Sequence, residues 1–158
     1  MSRIYLDSNI IIESIIDGPT AKSDAKRDLY RVCHSYTEII IPQIILGESF
    51  LKILQRSETH EIPDNMTNFW KCIRETIQDM TKHTPPLSRE ILDVALRIRD
   101  NDYVLDYNDA VLVAHAITDK ESTALFTSDK GIHNSLPIRN LINERKVDGN
   151  PLKILESV

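Results

Sequence analysis

Glycine is scarce in this 158-residue chain: there are four, Gly18, Gly47, Gly131 and Gly149, each isolated from the others. A phosphate cradle of the G-x-G-x-x-G or G-x-x-x-x-G-K-[ST] kind needs grouped glycines for close backbone approach, so neither can be built. The G-x-S-x-G elbow of a serine nucleophile is absent as well. Cys33 and Cys72 are the only cysteines and do not form a zinc-ligand spacing. Two cysteines in a domain of this size fit a reducing compartment. Positive charge is in deficit, with 19 basic against 24 acidic residues and a net of -5. Such a chain cannot hold nucleic acid mainly by bulk charge, although a local basic groove stays open to it. It has no uninterrupted apolar run of about 18 residues and no secretory leader, so it is expected to be cytoplasmic.

What is present is the balance of an ordinary globular protein, 41% hydrophobic and 27% charged. A chain of this length buries about 68–70% of its unfolded surface and folds without a metal or disulfide staple. No repeat, low-complexity tract or Gly/Ser linker divides it, and a single domain over residues 1–158 is expected. The compositional seams are Ser57–Asp64 and His83–Ser88, loop-like through Pro63, Pro85 and Pro86.

Arg3-Ile4-Tyr5-Leu6-Asp7 reads as a buried strand, and Glu38-Ile39-Ile40-Ile41-Pro42 as a second. Thr123–Thr127 reads as a third, and Ile138–Ile142 as a fourth. Helices are predicted over Asn9–Ile16, Thr20–Ser35, Pro42–Arg56, Asp64–Thr81, Ser88–Asn101 and Tyr107–Thr118. Unbroken apolar strands separated by helices imply an α/β fold whose parallel sheet is covered on both faces. Ligands in such folds gather beyond the carboxyl ends of the strands.

Four acids stand out. Asp7 ends the first strand and could equally cap the following helix. Glu48 shares a helix face with Ile44 and Leu51, where a carboxylate needs a cation, either a salt-bridge partner or a metal. Asp109 heads the stripe Leu112, Val113, Ala116 on a helix apolar nearly all round. Asp106 could cap that helix, leaving Asp109 as a first-turn acid facing the dipole. Asp129 follows the third strand, where a turn with Gly131 would explain it alone. Gathered at one end of a sheet, four carboxylates repel and raise one another's pKa unless a divalent cation supplies the missing charge. Oxygen donors without His or Cys select a hard cation, Mg²⁺ or Mn²⁺.

YLDSNIII at 5–12, PQIILGESFLKIL at 42–54, LDYNDAVLVAHAI at 105–117 and LFTSDKGI at 125–132 resemble the four signature segments of PIN-domain nucleases. The likeness is closest to the VapC-type toxins of toxin–antitoxin pairs, and it spans nearly the whole chain. It implies a three-layer α/β/α fold with a short central parallel sheet. The family's acidic metal site falls on Asp7, Glu48, Asp109 and Asp129, and its polar companions on Asn9 and Thr127, with Ser8 and Ser128 as weaker candidates. The register of Ala110 and Ala114 favours Asp109 over Asp106 as the third acid. The aromatic often found after the last acid is replaced by Ile132 or His133. The resemblance implies hydrolysis of RNA phosphodiesters with Mg²⁺ or Mn²⁺, an antitoxin protein partner and a homodimer. One cation would polarise a phosphoryl oxygen and acidify water, and a second, about 4 Å away, could stabilise the leaving oxygen.

Other constellations carry less. His34, His60, His83, His115 and His133 form no metal spacing, and His115 is expected to be a hydrogen-bonded structural residue. Lys22, Lys26, Arg27 and Arg31 read as a solvated helix face, whereas Lys130, beside Asp129, is the better phosphate contact. Trp70 is expected in the core or a dimer interface. The competing readings are a metal-dependent phosphatase and a PIN-like module that binds RNA or protein without cleaving. The phosphatase is disfavoured because the aspartyl-nucleophile pattern Asp-x-Asp is here Asp7-Ser8-Asn9.

Overall fold

The computed structural model describes residues 2–15, 23–58, 65–76, 83–145 and 151–156. Four parallel strands form one sheet: β1 (Arg3–Leu6), β2 (Glu38–Ile40), β3 (Ser122–Phe126) and β4 (Lys153–Leu155), in the order β2-β1-β3-β4. In β1, Ile4 pairs with Ile39 of β2 and Ala124 of β3, so this strand is enclosed on both edges. Ile4, Tyr5 and Leu6 are all buried. Burial on both faces is what an unbroken apolar strand predicts when helices cover both sides of the sheet.

The helices are α1 (Ser8–Ile15), α2 (Ser23–Ser35), α3 (Gln43–Glu58), α4 (Asn65–Thr76), α5 (Arg89–Asn101), α6 (Tyr107–Thr118), α7 (Lys130–Asn134) and α8 (Leu136–Arg145). They flank the sheet in two groups: α1 packs with α2, α3 and α4, while α6 packs with α5, α8, β1 and β3. The α/β architecture is the expected one. No described helix is long and apolar enough to cross a membrane.

One expected strand is wrong. Ile138–Ile142 lies inside α8, not in the sheet. Ile138, Leu141 and Ile142 recur at spacings of three and four, which is a helix face, and the Ser135 hydroxyl accepts from the Ile138 N–H at 3.5 Å. The fourth strand is the short Lys153–Leu155, which pairs with β3. The expected N-terminal turn of α2, Thr20–Lys22, and the last part of α4, Ile77–Thr81, fall outside the described residues.

A charged knot closes the amino-terminal end of the sheet. Arg3, the first residue of β1, reaches Asp119 with Nη1 at 2.9 and 3.0 Å, and Glu38 and Glu121 at 2.6 Å. The Tyr5 hydroxyl donates to the same Asp119 carboxylate at 3.0 Å. From behind, Arg145 donates to the Asp119 carbonyl at 2.6 Å and the Ser122 carbonyl at 2.7 Å. Asp119 therefore joins the end of α6 to two strands. Removing its carboxylate leaves a largely buried guanidinium and hydroxyl short of an acceptor. Asp119→Ala should cost about 2–4 kcal/mol of stability, read as a lower midpoint in urea unfolding at an unchanged slope.

Candidate active site

At the opposite end of the sheet, β1 runs straight into Asp7, which is 1% exposed. Its backbone N–H still bonds to Phe126 of β3 at 3.1 Å, so the carboxylate is held by the sheet itself. The Thr127 hydroxyl donates to Asp7 Oδ2 at 2.5 Å and accepts from the Asp129 N–H at 3.0 Å. Asp7 Oδ1 is buried and has no hydrogen-bond partner among the described residues. Burial pushes the Asp7 pKa up; the Thr127 bond and the Ser8 and Asn9 peptides pull it down, and the charge of Glu48 pushes it up again.

Asp129 serves as the N-cap of α7, its Oδ1 accepting from the N–H groups of Gly131 at 2.5 Å and Ile132 at 3.3 Å. A larger residue in place of the glycine would displace the capping carboxylate. A Cβ at residue 131 would stand 2.8 Å from Asp129 Oδ1 and 3.6 Å from Leu105 Cδ1. The expected turn is thus a short capped helix, and it fixes the direction of the carboxylate.

Asp106 is the N-cap of α6, accepting from the Asn108 N–H at 2.9 Å, which leaves Asp109 as the first-turn acid. Leu112, Val113 and Ala116, below Asp109 on the helix, are fully buried. Burial raises the Asp109 pKa to about 7, helped by the negative charges of Asp7, Asp129, Asp106 and Glu48. Those influences bring Asp7, Asp129 and Glu48 within electrostatic range of Asp109. Glu48 differs from expectation in its surroundings: Leu51 is 57% exposed, and the buried face of α3 is Ile45, Ser49 and Ile53. Glu48 sits at the flank of that face, where it forms an ion pair with Lys52 one turn on. Its Oε2 is nevertheless buried without a hydrogen-bond partner among the described residues.

Glu13 is an addition that the sequence reading missed. It lies on α1, and its Oε1 is 3.5 Å from the Ser128 hydroxyl in the loop carrying Thr127 and Asp129. Glu13 Oε2 is a further buried oxygen with no hydrogen-bond partner among the described residues. The available signal was a single charge among the isoleucines Ile10, Ile11, Ile12 and Ile15. Asn9 and Ser8 lie beside Asp7 at the start of α1, Ser8 buried and Asn9 half-buried; Lys130 is exposed next to Asp129.

Other expected features lie elsewhere. His115 stacks on Tyr5 with ring centroids 6.4 Å apart, and burial lowers its pKa to about 4. It is buried, and its Nε2 lacks the expected hydrogen bond, having no partner among the described residues. Trp70 is 43% exposed and rests on Phe69 and Phe50. Arg31 pairs with Asp28 at 3.4 Å; Lys22 and the side chains of Lys26 and Cys33 lie outside the described residues. A cavity of about 420 Å³ between α1, α2 and α4, lined by Leu29, Tyr30, His34 and Cys72, contains none of the candidate acids.

A cation fits this donor set on two grounds, the unpartnered buried oxygens and the mutual repulsion that raises Asp109. Among the described residues no three His, Cys, Asp or Glu groups close on a single point.

The alternation of elements, the parallel sheet and acids at its carboxyl end match a known domain. The PIN domain model covers residues 4–135, and the chain belongs to the PIN domain family. Among solved structures, it is similar to FitAcB from Neisseria gonorrhoeae, at 16% identity and a TM-score of 0.58, over 81% of this chain and 88% of that one. FitAB bound to an IR36 DNA fragment matches at 13% identity and a TM-score of 0.62, over 98% and 94%. VapBC-5 from Mycobacterium tuberculosis, a member of the VapBC family of toxin–antitoxin systems, matches at 11% and 0.54, over 98% of both chains. At these identities the likeness is one of fold. No curated protein matches the chain in sequence.

The raised pKa of Asp109 has a measurable sign. Between its unfolded value near 4 and about 7, the folded state binds the extra proton, so this group's contribution to stability falls as pH rises through that window. In the metal-free protein, Asp109→Asn should therefore raise stability at pH 8 by roughly 1–2 kcal/mol, discounted for solvent screening, and change it little at pH 4. Thermal melts across that range in EDTA check both the size and the direction.

Proposed function

We propose that this PIN domain is an endoribonuclease dependent on Mg²⁺ or Mn²⁺, and that it is the toxin of a toxin–antitoxin pair. The observation that carries the reading is the unpartnered Asp7 Oδ1, buried at the carboxyl end of the central strand, in a residue whose charge helps raise the Asp109 pKa to about 7. Asp7, Asp109, Glu48 and Asp129 would hold the cation. When bound, it supplies the charge that draws a phosphoryl oxygen in and acidifies a water for in-line attack.

The chain's own groups do the positioning. Thr127 fixes one Asp7 oxygen, and the other has no hydrogen-bond partner among the described residues. The cap on α7 fixes Asp129 in the same way. Asn9 and Ser128, beside these carboxylates, are placed to orient water, and Ser128 is steadied in turn by Glu13. Lys130 offers a cation to the phosphate at the mouth. With its pKa raised to about 7, Asp109 would give up a proton on holding a cation, so loading would release acid.

The acidic composition does not oppose this reading. Without the four carboxylates, the chain holds 20 acids against 19 bases, so it is a nearly neutral body with its negative charge concentrated at one end. A protein antitoxin as partner is supported by the fold shared with VapBC-5, whose system is a toxin–antitoxin pair.

Purified protein should cleave RNA with Mg²⁺ or Mn²⁺ and stop in EDTA. Asp7→Asn should abolish cleavage with the melting temperature retained, and should relieve the growth arrest caused by expressing the chain alone. Undiminished cleavage by that variant, or in EDTA, would overturn the nuclease reading; active cleavage without growth arrest would overturn the toxin.

A further inference from the structure

The loop from Asp102 to Asp106, between α5 and α6, exposes large side chains that the fold does not use. Tyr103 is 83% exposed, Val104 82% and Tyr107 64%, in a chain with nine aromatic side chains of the Phe, Trp and Tyr kinds. Burying a tyrosine is worth more than leaving it in water, so two exposed rings four residues apart call for an explanation.

The loop is stiff rather than loose. Arg99 of α5 donates through Nη1 to the Tyr103 carbonyl at 2.5 Å and to the Leu105 carbonyl. Its guanidinium carbon also stands 4.4 Å over the Tyr107 ring, covering part of it and leaving the rest to solvent. Leu105, by contrast, is buried and packs at the start of α7, within 3.6 Å of where a Cβ on Gly131 would be. One arginine thus holds the backbone of one tyrosine and the ring of the next.

The placement is specific. Tyr107 precedes Asp109 by two residues, and a Cβ on Gly131, in the turn that Asp129 caps, would lie 3.6 Å from Leu105 Cδ1. Tyr107 and Asp109 share the first turn of α6, so the exposed rings lie at the end of the fold that carries the third carboxylate. Nucleic acid at that end meets no broad positive field, since the chain is net negative. Stacking on aromatic rings is an uncharged way to hold nucleic acid, and every base has a face to offer. A base can use it only when unpaired and turned out of a helix.

We infer that Tyr103 and Tyr107 form a base-stacking platform that holds unpaired nucleotides of the RNA beside the carboxylate cluster. The inference rests on the nuclease reading and names the part of the chain that selects single-stranded substrate. Arg99 is a positioning residue for it. The aromatic ring is the working group, so Tyr→Phe should serve where Tyr→Ala does not.

The test uses the full chain carrying Asp7→Asn, which prevents cleavage during binding. Three labelled probes of about 12 nucleotides, within the span of such a platform, are compared by anisotropy: oligoadenylate, oligouridylate and an RNA duplex. Tyr103→Ala and Tyr107→Ala should each weaken single-strand binding about tenfold. The Phe variants should retain it, adenylate should bind more tightly than uridylate, and the weaker duplex binding should not change. In the uncrippled chain the same Ala substitutions should raise KM more than they lower kcat. Both rings are exposed, so the melting temperature should stay put. Ala variants that bind single strands as the parent does would overturn the platform, as would equal losses on duplex. Reduced self-association with unchanged RNA affinity would make the patch a protein interface and also overturn it. If the parent binds none of the probes, the nuclease reading fails and takes this one with it; if only the Ala variants behave as the parent, this inference fails alone.

Discussion

The hydrogen bond from Thr127 to Asp7 joins the ends of two neighbouring strands and leaves one buried carboxylate oxygen unsatisfied. Much of the surrounding arrangement follows from that pairing. The same hydroxyl accepts from the Asp129 N–H, so the loop after β3 cannot turn without carrying Asp129 toward Asp7. Asp109 arrives from α6 against this fixed pair and is forced to keep its proton to near neutrality. Like charges held in place by a sheet and two helix caps are an expensive arrangement unless a cation is part of the working molecule.

The parts of the fold that were legible in the sequence are those with a strong local signature. Ile4–Leu6, Ile39–Ile41 and Ala124–Phe126 are continuous apolar runs, and a parallel sheet buries such strands on both faces. β4 is three residues with a lysine at its start, half-exposed at the sheet edge, and its stability comes from pairing with β3 rather than from its own composition. Ile138–Ile142 misled because isoleucine is rich in strands, although the three-four spacing already favoured a helix.

At the site, residues visible in sequence were carboxylates against apolar backgrounds, and Asp7 and Asp109 stand on such backgrounds in the structure. Glu48 was singled out by a face it only borders; Leu51, its supposed companion, faces outward. Glu13 was passed over because nothing in the chain links residue 13 to residue 128. That contact exists only once α1 leans against the loop after β3. The role of Arg99 was hidden for the same reason: its acceptors are carbonyls, which no side-chain pattern encodes.

β1 has four residues and carries both ends of this balance. Arg3, at its start, is tied to Glu38, Asp119 and Glu121, while Asp7 follows directly after its last residue. The repelling carboxylates could move apart if this strand slid along its neighbours. A slip of one residue would turn Ile4 and Leu6 to the face that Tyr5 occupies and pull Arg3 out of three ion pairs at once. The charged knot at one edge of the sheet thereby acts as a pawl for the other, letting the site keep a strained geometry without relaxing through the backbone.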